Sequence, residues 1–194
     1  MPNPRSRAPR RRIIGANWEA QRPIRGRPPA ARPRKATRIY LTSKQREHWS
    51  LLTEGLSQLA ASRIEVADLA IQCLDDTLQE MQRGLTGSGQ LLPVGVVDLK
   101  SLYFLLDLKP PTGSAIQYNI TMFTETRERM SVLTIRLQSA FRATWSQVFG
   151  LGIELLHHRL ASQGRDLAIL AEVDSLAELK TRLFQPQQLR LTMG

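Results

Sequence analysis

The sequence has one cysteine, three histidines and no long apolar run, and each shortage closes off a class of function. A single cysteine excludes an intrachain disulfide and fits a reducing compartment. Cys73 falls on the apolar stripe of an expected helix, where it reads as a small core hydrophobe rather than a nucleophile. The histidines are His48, His157 and His158. The adjacent pair cannot share one helix face, which is poor spacing for metal ligands. There is no Gly-rich phosphate loop and no cysteine cluster, and no Ser/His/Asp set is suggested by order or spacing. The chain therefore does not read as an enzyme, and neither a metal nor an organic cofactor is expected. The longest apolar patches, Leu91–Val97 and Leu102–Leu106, fall far short of the roughly 20 residues that span a bilayer. No membrane partner is expected.

Acidic residues are scarce in one place only. Residues 1–36 hold ten Arg, one Lys and a single Glu, which is the whole formal net charge of +10. The remaining 158 residues are balanced, with sixteen basic and sixteen acidic groups. The leader also carries seven of the eleven prolines. Such a segment cannot offset its ordering entropy with buried apolar surface, so residues 1–36 are expected to be a disordered basic tail. Arg-rich leaders occur in transit peptides too, but these prolines spoil an amphipathic helix. Arg10-Arg11-Arg12 and the cluster Arg32, Arg34 and Lys35 suit phosphate neutralisation, an effect that falls steeply with salt. The segment Arg22–Arg27 suits a minor groove or a docking peptide for a protein partner.

What the sequence does have is an internal repeat, the feature to settle before any other. Leu41-Thr42-Ser43 lies over Met122-Phe123-Thr124 at an offset of 81, with Arg46-Glu47 over Arg127-Glu128, Leu52 over Leu133 and Leu56 over Leu137. After one inserted residue the offset is 82, and the segment from Ser62 lies over that from Thr144. Each copy has the same grammar. Thr37–Leu41 and 118–123 alternate with period two, which means a half-buried strand. A helix follows from about Ser43 (a fair N-cap) and from about Thr124. A second helix opens at Ser62-x-x-Glu65 and at Thr144-x-x-Gln147, both capping-box signatures. Gly150 and Gly152 look weak for a helix but permit a close helix crossing, since Gly152 aligns with Ala70. Between the copies, Gly84–Gly89 is flexible and Val96–Lys109 forms a short helix, stopped by Pro110-Pro111. After a turn at Ser162–Asp166, Leu170–Phe184 makes a last amphipathic helix, and residues beyond Pro186 are loose.

One strand followed by two helices cannot hide its own apolar face, but two copies can. The expected fold is mostly α with one two-stranded antiparallel ribbon (α+β), over four helices. Ile39, Leu41, Ile120 and Met122 face the core. Arg38, Tyr40, Thr42, Asn119, Thr121 and Phe123 face outward. A two-stranded ribbon fits the B-DNA major groove, and Arg and Asn match the paired acceptors of guanine and the acceptor–donor pair of adenine. These six residues are the candidate base contacts, with an ordinary wet sheet face as the plain alternative. Helix starts at Ser62, Arg63, Thr144 and Trp145 offer backbone N–H groups to a phosphate, although capping alone would give the same pattern.

This grammar resembles the ribbon-helix-helix superfamily. The stretch that carries the resemblance is Arg38–Leu41 followed by Ser62-Arg63-Ile64-Glu65-Val66 and Ala70-Ile71; it covers about residues 37–83 and 116–161. Copy two departs from it with Gln147 in place of the Glu and with no basic residue on its strand. The resemblance implies an intramolecular ribbon-helix-helix pseudo-dimer. Unit one would be 37–83, the connector 84–115, unit two 116–161 and a helical extension 162–194. Two units in one chain with a long Arg/Pro leader resemble accessory proteins of conjugative relaxosomes and of T-DNA transfer. That implies double-stranded DNA as partner, a relaxase or other mobile-element protein as a further one, and a DNA-associated place in a bacterial cytoplasm. A transcriptional repressor, a plasmid partition regulator and an antitoxin-like interaction module are the alternatives. A monomer would suffice, with higher oligomers on DNA left open.

Overall fold

The structure is a computed structural model that describes residues 32–85, 92, 93, 95–161 and 167–184. All of them lie within the compact unit Arg32–Gly194. The expectations for residues 1–31, 86–89 and 162–166 and for the stretch after Phe184 lie outside the described residues.

Eight elements follow in chain order: β1 (Arg34–Leu41), α1 (Ser43–Ser57), α2 (Arg63–Gly84), α3 (Leu99–Leu105), β2 (Ile116–Phe123), α4 (Thr124–Ala140), α5 (Trp145–Leu160) and α6 (Leu176–Phe184), with a 3-10 turn at Ala168–Glu172 before α6. The described chain is mostly helical with one two-stranded antiparallel sheet, β1 against β2. Ser62 and Thr144 cap α2 and α5 through reciprocal capping boxes with Glu65 and Gln147, as the spacing predicts.

Several boundaries differ from expectation: β2 starts at Ile116 rather than Tyr118, and α3 spans only Leu99–Leu105 of the expected Val96–Lys109. β1 starts at Arg34, so Arg34, Lys35 and Ala36 belong to the sheet rather than to a tail. The cause is the length of β2, whose residues Thr121, Met122 and Phe123 pair with Ala36, Lys35 and Arg34; backbone donors and acceptors demand partners. The cap of α1 is Thr42, not Ser43. Its Oγ1 accepts from the Gln45 N–H at 3.3 Å while its own N–H donates to Gln45 Oε1 at 3.1 Å. The last helix does not run from Leu170. A break at Val173–Ser175 separates the 3-10 turn from α6, because Ser175 Oγ accepts from the Glu178 N–H (3.2 Å) and Glu178 accepts from the Asp174 N–H (3.1 Å), which starts a fresh helix.

The two copies interlock. α2 and α5 pack on each other, α5 lies against β1 and α1, and α2 lies against β2 and α4, so each second helix serves the other copy's strand. Residues related by the repeat offset meet directly at three levels. Arg38 faces Asn119 at the middle of the ribbon. Gly152 meets Ala70 at the helix crossing, where an added Cβ would sit 2.8 Å from the Ala70 carbonyl oxygen. Arg159 donates to Thr77 Oγ1 at 2.7 Å. Contacts off this line recur in exchanged form: Arg129 of α4 lies 3.8 Å from Asp75 of α2, and at the matching place His48 of α1 stacks on His157 of α5 at 3.9 Å.

Ile39, Leu41, Ile120 and Met122 form the roof of the core beneath the ribbon, with Leu69, Ile71, Leu74, Leu151 and Leu156 within it. The same cluster includes Leu102, Tyr103, Leu106 and Leu108 from the connector, and Val173 and Leu179 from the C-terminal part. Connector and extension are thus built into one core with the repeats.

Candidate nucleic-acid interface

The sheet register decides which side chains leave the core. Arg38 opposite Asn119 forms the centre of the outward face, with Ala36 opposite Thr121 on one side and Tyr40 opposite Gln117 on the other. All six are exposed, and Tyr40, at 50% exposure, is unusually open for an aromatic residue. Arg34 extends the row at the end nearest Phe123.

Two expected outward residues are not there. Thr42 is 7% exposed because its hydroxyl is used as the α1 cap. Phe123 is 6% exposed: the chain turns there into α4, and its ring lies under the Arg32 guanidinium at 3.9 Å. The outward triplets are therefore 36, 38, 40 and 117, 119, 121, one step earlier in each strand than expected. Ala36 and Gln117 were missed because both strands extend further in the N-terminal direction than alternation alone indicates. The face combines Arg, Asn and Gln, side chains able to make paired hydrogen bonds to a base edge, with Thr, Ala and an aromatic.

The flanking helix starts are placed differently in the two halves. Ser62 is exposed, and its N–H and hydroxyl both donate to Glu65 Oε2, at 2.7 and 2.8 Å. Those bonds, the backbone one first, hold the Glu65 carboxyl below its usual range. Arg63 beside it is exposed. At the other start, the Thr144 N–H donates to the neutral Gln147 Oε1 at 2.8 Å. The α5 start is therefore the more receptive to an anion, since no carboxylate shares its positive end. It is also tied to the ribbon: the Tyr40 N–H donates to Ser146 Oγ at 2.9 Å. Trp145 is half-buried, with the Arg127 guanidinium 5.3 Å from its ring centroid.

The basic residues next to the ribbon divide as well. Arg32 is engaged within the fold, donating to Glu125 Oε2 at 2.6 Å, with Asp68 and Glu65 adding to the field that keeps it charged. This ion pair gives Arg32 an internal partner that its place in a basic cluster does not foretell. Arg34 and Lys35 are exposed, as part of β1.

Among the described residues no group of three or more His, Cys, Asp or Glu is arranged to hold a metal ion, and no helix is long and apolar enough to cross a membrane. Comparison with family models, with curated proteins and with solved structures returns no match for this chain.

Proposed function

We propose that the chain is a single-chain ribbon-helix-helix pseudo-dimer that binds double-stranded DNA. The ribbon would enter the major groove outer face first, with Arg38 and Asn119 at its centre and Ala36, Thr121, Tyr40 and Gln117 on either side. The observation that carries this reading is that outward row: seven exposed residues from 34 to 40 and 117 to 121, none acidic, on a two-stranded ribbon whose other face is core. The starts of α2 and α5 flank the ribbon and suit phosphate oxygens, the α5 start more than the α2 start. Arg34, Lys35 and the leader add sequence-independent attraction.

An interaction module is the second reading: Leu102, Tyr103 and Leu179 of the extra segments are buried in the chain's own core, while Val97, Phe104 and Leu105 of the connector stay exposed. Within DNA binding, two units in one chain and a strongly basic leader favour an accessory role in conjugative or T-DNA-type transfer, in a bacterial cytoplasm and alongside a relaxase. A repressor or partition regulator would use the same chemistry, and neighbouring genes separate these roles.

The test is a mobility shift against the flanking DNA of the gene, at several salt concentrations, with the full chain and with residues 1–31 deleted. The truncated protein is expected to keep its preference and lose part of the salt slope. Arg38→Ala with Asn119→Ala is expected to abolish preference and leave the salt-dependent background. Loss of all specific binding on removing the leader alone would sink the ribbon-reading model.

A further inference from the structure

Beside the ribbon lies a cleft of about 390 Å³, walled by Tyr40 of β1, Leu99, Lys100 and Tyr103 of α3, Pro110 and Ser146 of α5. That volume falls within the range of small-molecule sites. Its floor is polar and already ordered: the buried Gln45 donates from Nε2 to the hydroxyl of buried Tyr103 at 3.3 Å. Tyr103 is pushed well above the ordinary tyrosine range, by burial first and by Glu154 next, so it stays a neutral hydroxyl.

The repeat identifies the same place in the other half, where Thr42 becomes Phe123, Gln45 becomes Thr126 and Gln147 becomes Glu65. There the site is filled from within. Arg32 lies over Phe123 at 3.9 Å and bonds Glu125 at 2.6 Å, with Glu65 and Asp68 contributing to its field. Arg32 pairs with Glu125, while Asp68 accepts from Thr126 and lies 3.9 Å from Arg129, and Glu65 accepts from Ser62. In the first half each of those carboxylates is gone: Lys44 stands for Glu125, Gln147 for Glu65 and Gly150 for Asp68. No arginine lines the cleft, and α3 adds Lys100 to its wall. Of the acids near it, Asp98 is taken up by Ser101, whose N–H and hydroxyl donate to it at 2.6 and 2.7 Å, and the buried Glu154, whose field reaches Tyr103, lies 2.7 Å from His48 Nδ1. A place occupied by Arg32 in one half thus has a counterpart that is open and largely apolar and carries one cation on its wall, Lys100, whose ammonium lies 5.9 Å from the centroid of the exposed Phe104 ring and is free to swing to the cleft.

We infer that this cleft binds a small organic anion, a carboxylate on a flat apolar body. Lys100 supplies the countercharge, and Leu99, Tyr103 and Pro110 supply contacts for the body. Because Tyr40 both lines the cleft and stands on the outward face, a bound anion would alter the surface the ribbon presents; this consequence, unlike the binding itself, rests on the DNA reading.

Titration calorimetry and amide-shift mapping on the full chain without DNA test the inference, with 3-phenylpropionate and its uncharged amide as probes. The acid is expected to bind saturably, with shifts centred on Tyr40, Leu99, Lys100 and Tyr103. The amide should bind about two- to fivefold more weakly, the scale of one solvent-exposed ion pair. Lys100→Gln, at an exposed position, should bring the acid down to the level of the amide and leave the amide unchanged. Equal binding of acid and amide, shifts spread along Arg34 and Arg38, indifference to Lys100→Gln, or no saturable binding of either probe would each overturn it.

Discussion

The crossing of α2 and α5 at Ala70 and Gly152 gives the sharpest stability prediction. A Cβ added at Gly152 would lie 2.8 Å from the Ala70 carbonyl oxygen and 3.2 Å from its carbonyl carbon. Both atoms are backbone in the middle of a 22-residue helix, so relief requires one helix to move away from the other. Overpacking of this kind costs roughly 1–3 kcal/mol. Against it stands the better helix propensity of alanine, worth about 1 kcal/mol. Gly84 supplies a reference without the clash, because nothing lies within 4 Å of its added Cβ, but as the last residue of α2 it carries less of the propensity gain than the interior Gly152 does. Gly84→Ala is therefore expected to be neutral or slightly stabilising, and Gly152→Ala to fall below it by roughly 1–3 kcal/mol. Urea denaturation followed by circular dichroism measures the difference directly. The movement also spreads the starts of α2 and α5, so on the DNA-binding proposal affinity for DNA should fall with stability. If Gly152→Ala equals or exceeds Gly84→Ala in stability, the two helices do not meet where the structure brings them together.

Three further outcomes follow from burial and charge. Cys73 is fully buried and its thiol is pushed up to about 11, by burial first, so a thiol reagent at pH 8 should label it only after denaturant is added; stoichiometric labelling of the native protein would contradict this. The Glu65 carboxyl is held below its ordinary value by Ser62, so its contribution is present at neutral pH and is lost as pH falls below about 4.5 through the lowered folded value. Glu65→Gln, which keeps a capping amide like that of Gln147, should flatten the acid limb of a pH series of urea melts, and identical limbs would refute the assignment. Leu179→Ala should cost roughly 2–5 kcal/mol because α6 is part of the one core; a loss near zero would make α6 an appendage.

Local rules of capping and period made much of this fold readable. Ser62 with Glu65 and Thr144 with Gln147 mark two helix starts in the sequence, and Ile39, Leu41, Ile120 and Met122 mark the buried strand face, all as the structure has them. Facts that depend on two distant segments were not readable. Alternation places Thr42 and Phe123 outward, but whether a strand continues or turns into a helix depends on where its partner ends. Arg32 reads as one more tail arginine until the fold brings Phe123 and Glu125 to it from 91 and 93 residues away. The break at Val173–Ser175 was hidden for another reason: the leucines keep helical spacing across it, and only the local bonds of Asp174 and Ser175 to Glu178 reveal a new start.

On the proposal that the ribbon reads DNA, the register also sharpens what it should read. Arg38 and Asn119 are related by the repeat and face each other, so the approximate two-fold relation of the copies passes between them. Ala36 corresponds to Gln117, and Tyr40 to Thr121. One side of the centre therefore presents Ala36 with Thr121, and the other Tyr40 with Gln117. The strand register is symmetric about this pair, but its side chains are not, so the site preferred by the proposed reader should have unlike flanks around one central step. Ala36→Gln together with Thr121→Tyr would give both sides a Gln and a Tyr. Both positions are exposed, so the double variant should fold as the parent does. Selection from random duplexes is expected to recover a non-palindromic site with the parent protein. The variant should recover a site whose flanks repeat the parent's Tyr40–Gln117 flank in inverted order, with the centre unchanged. A variant motif with the same unlike flanks as the parent would mean that the ribbon face does not set the sequence read, whatever else in the chain attracts DNA.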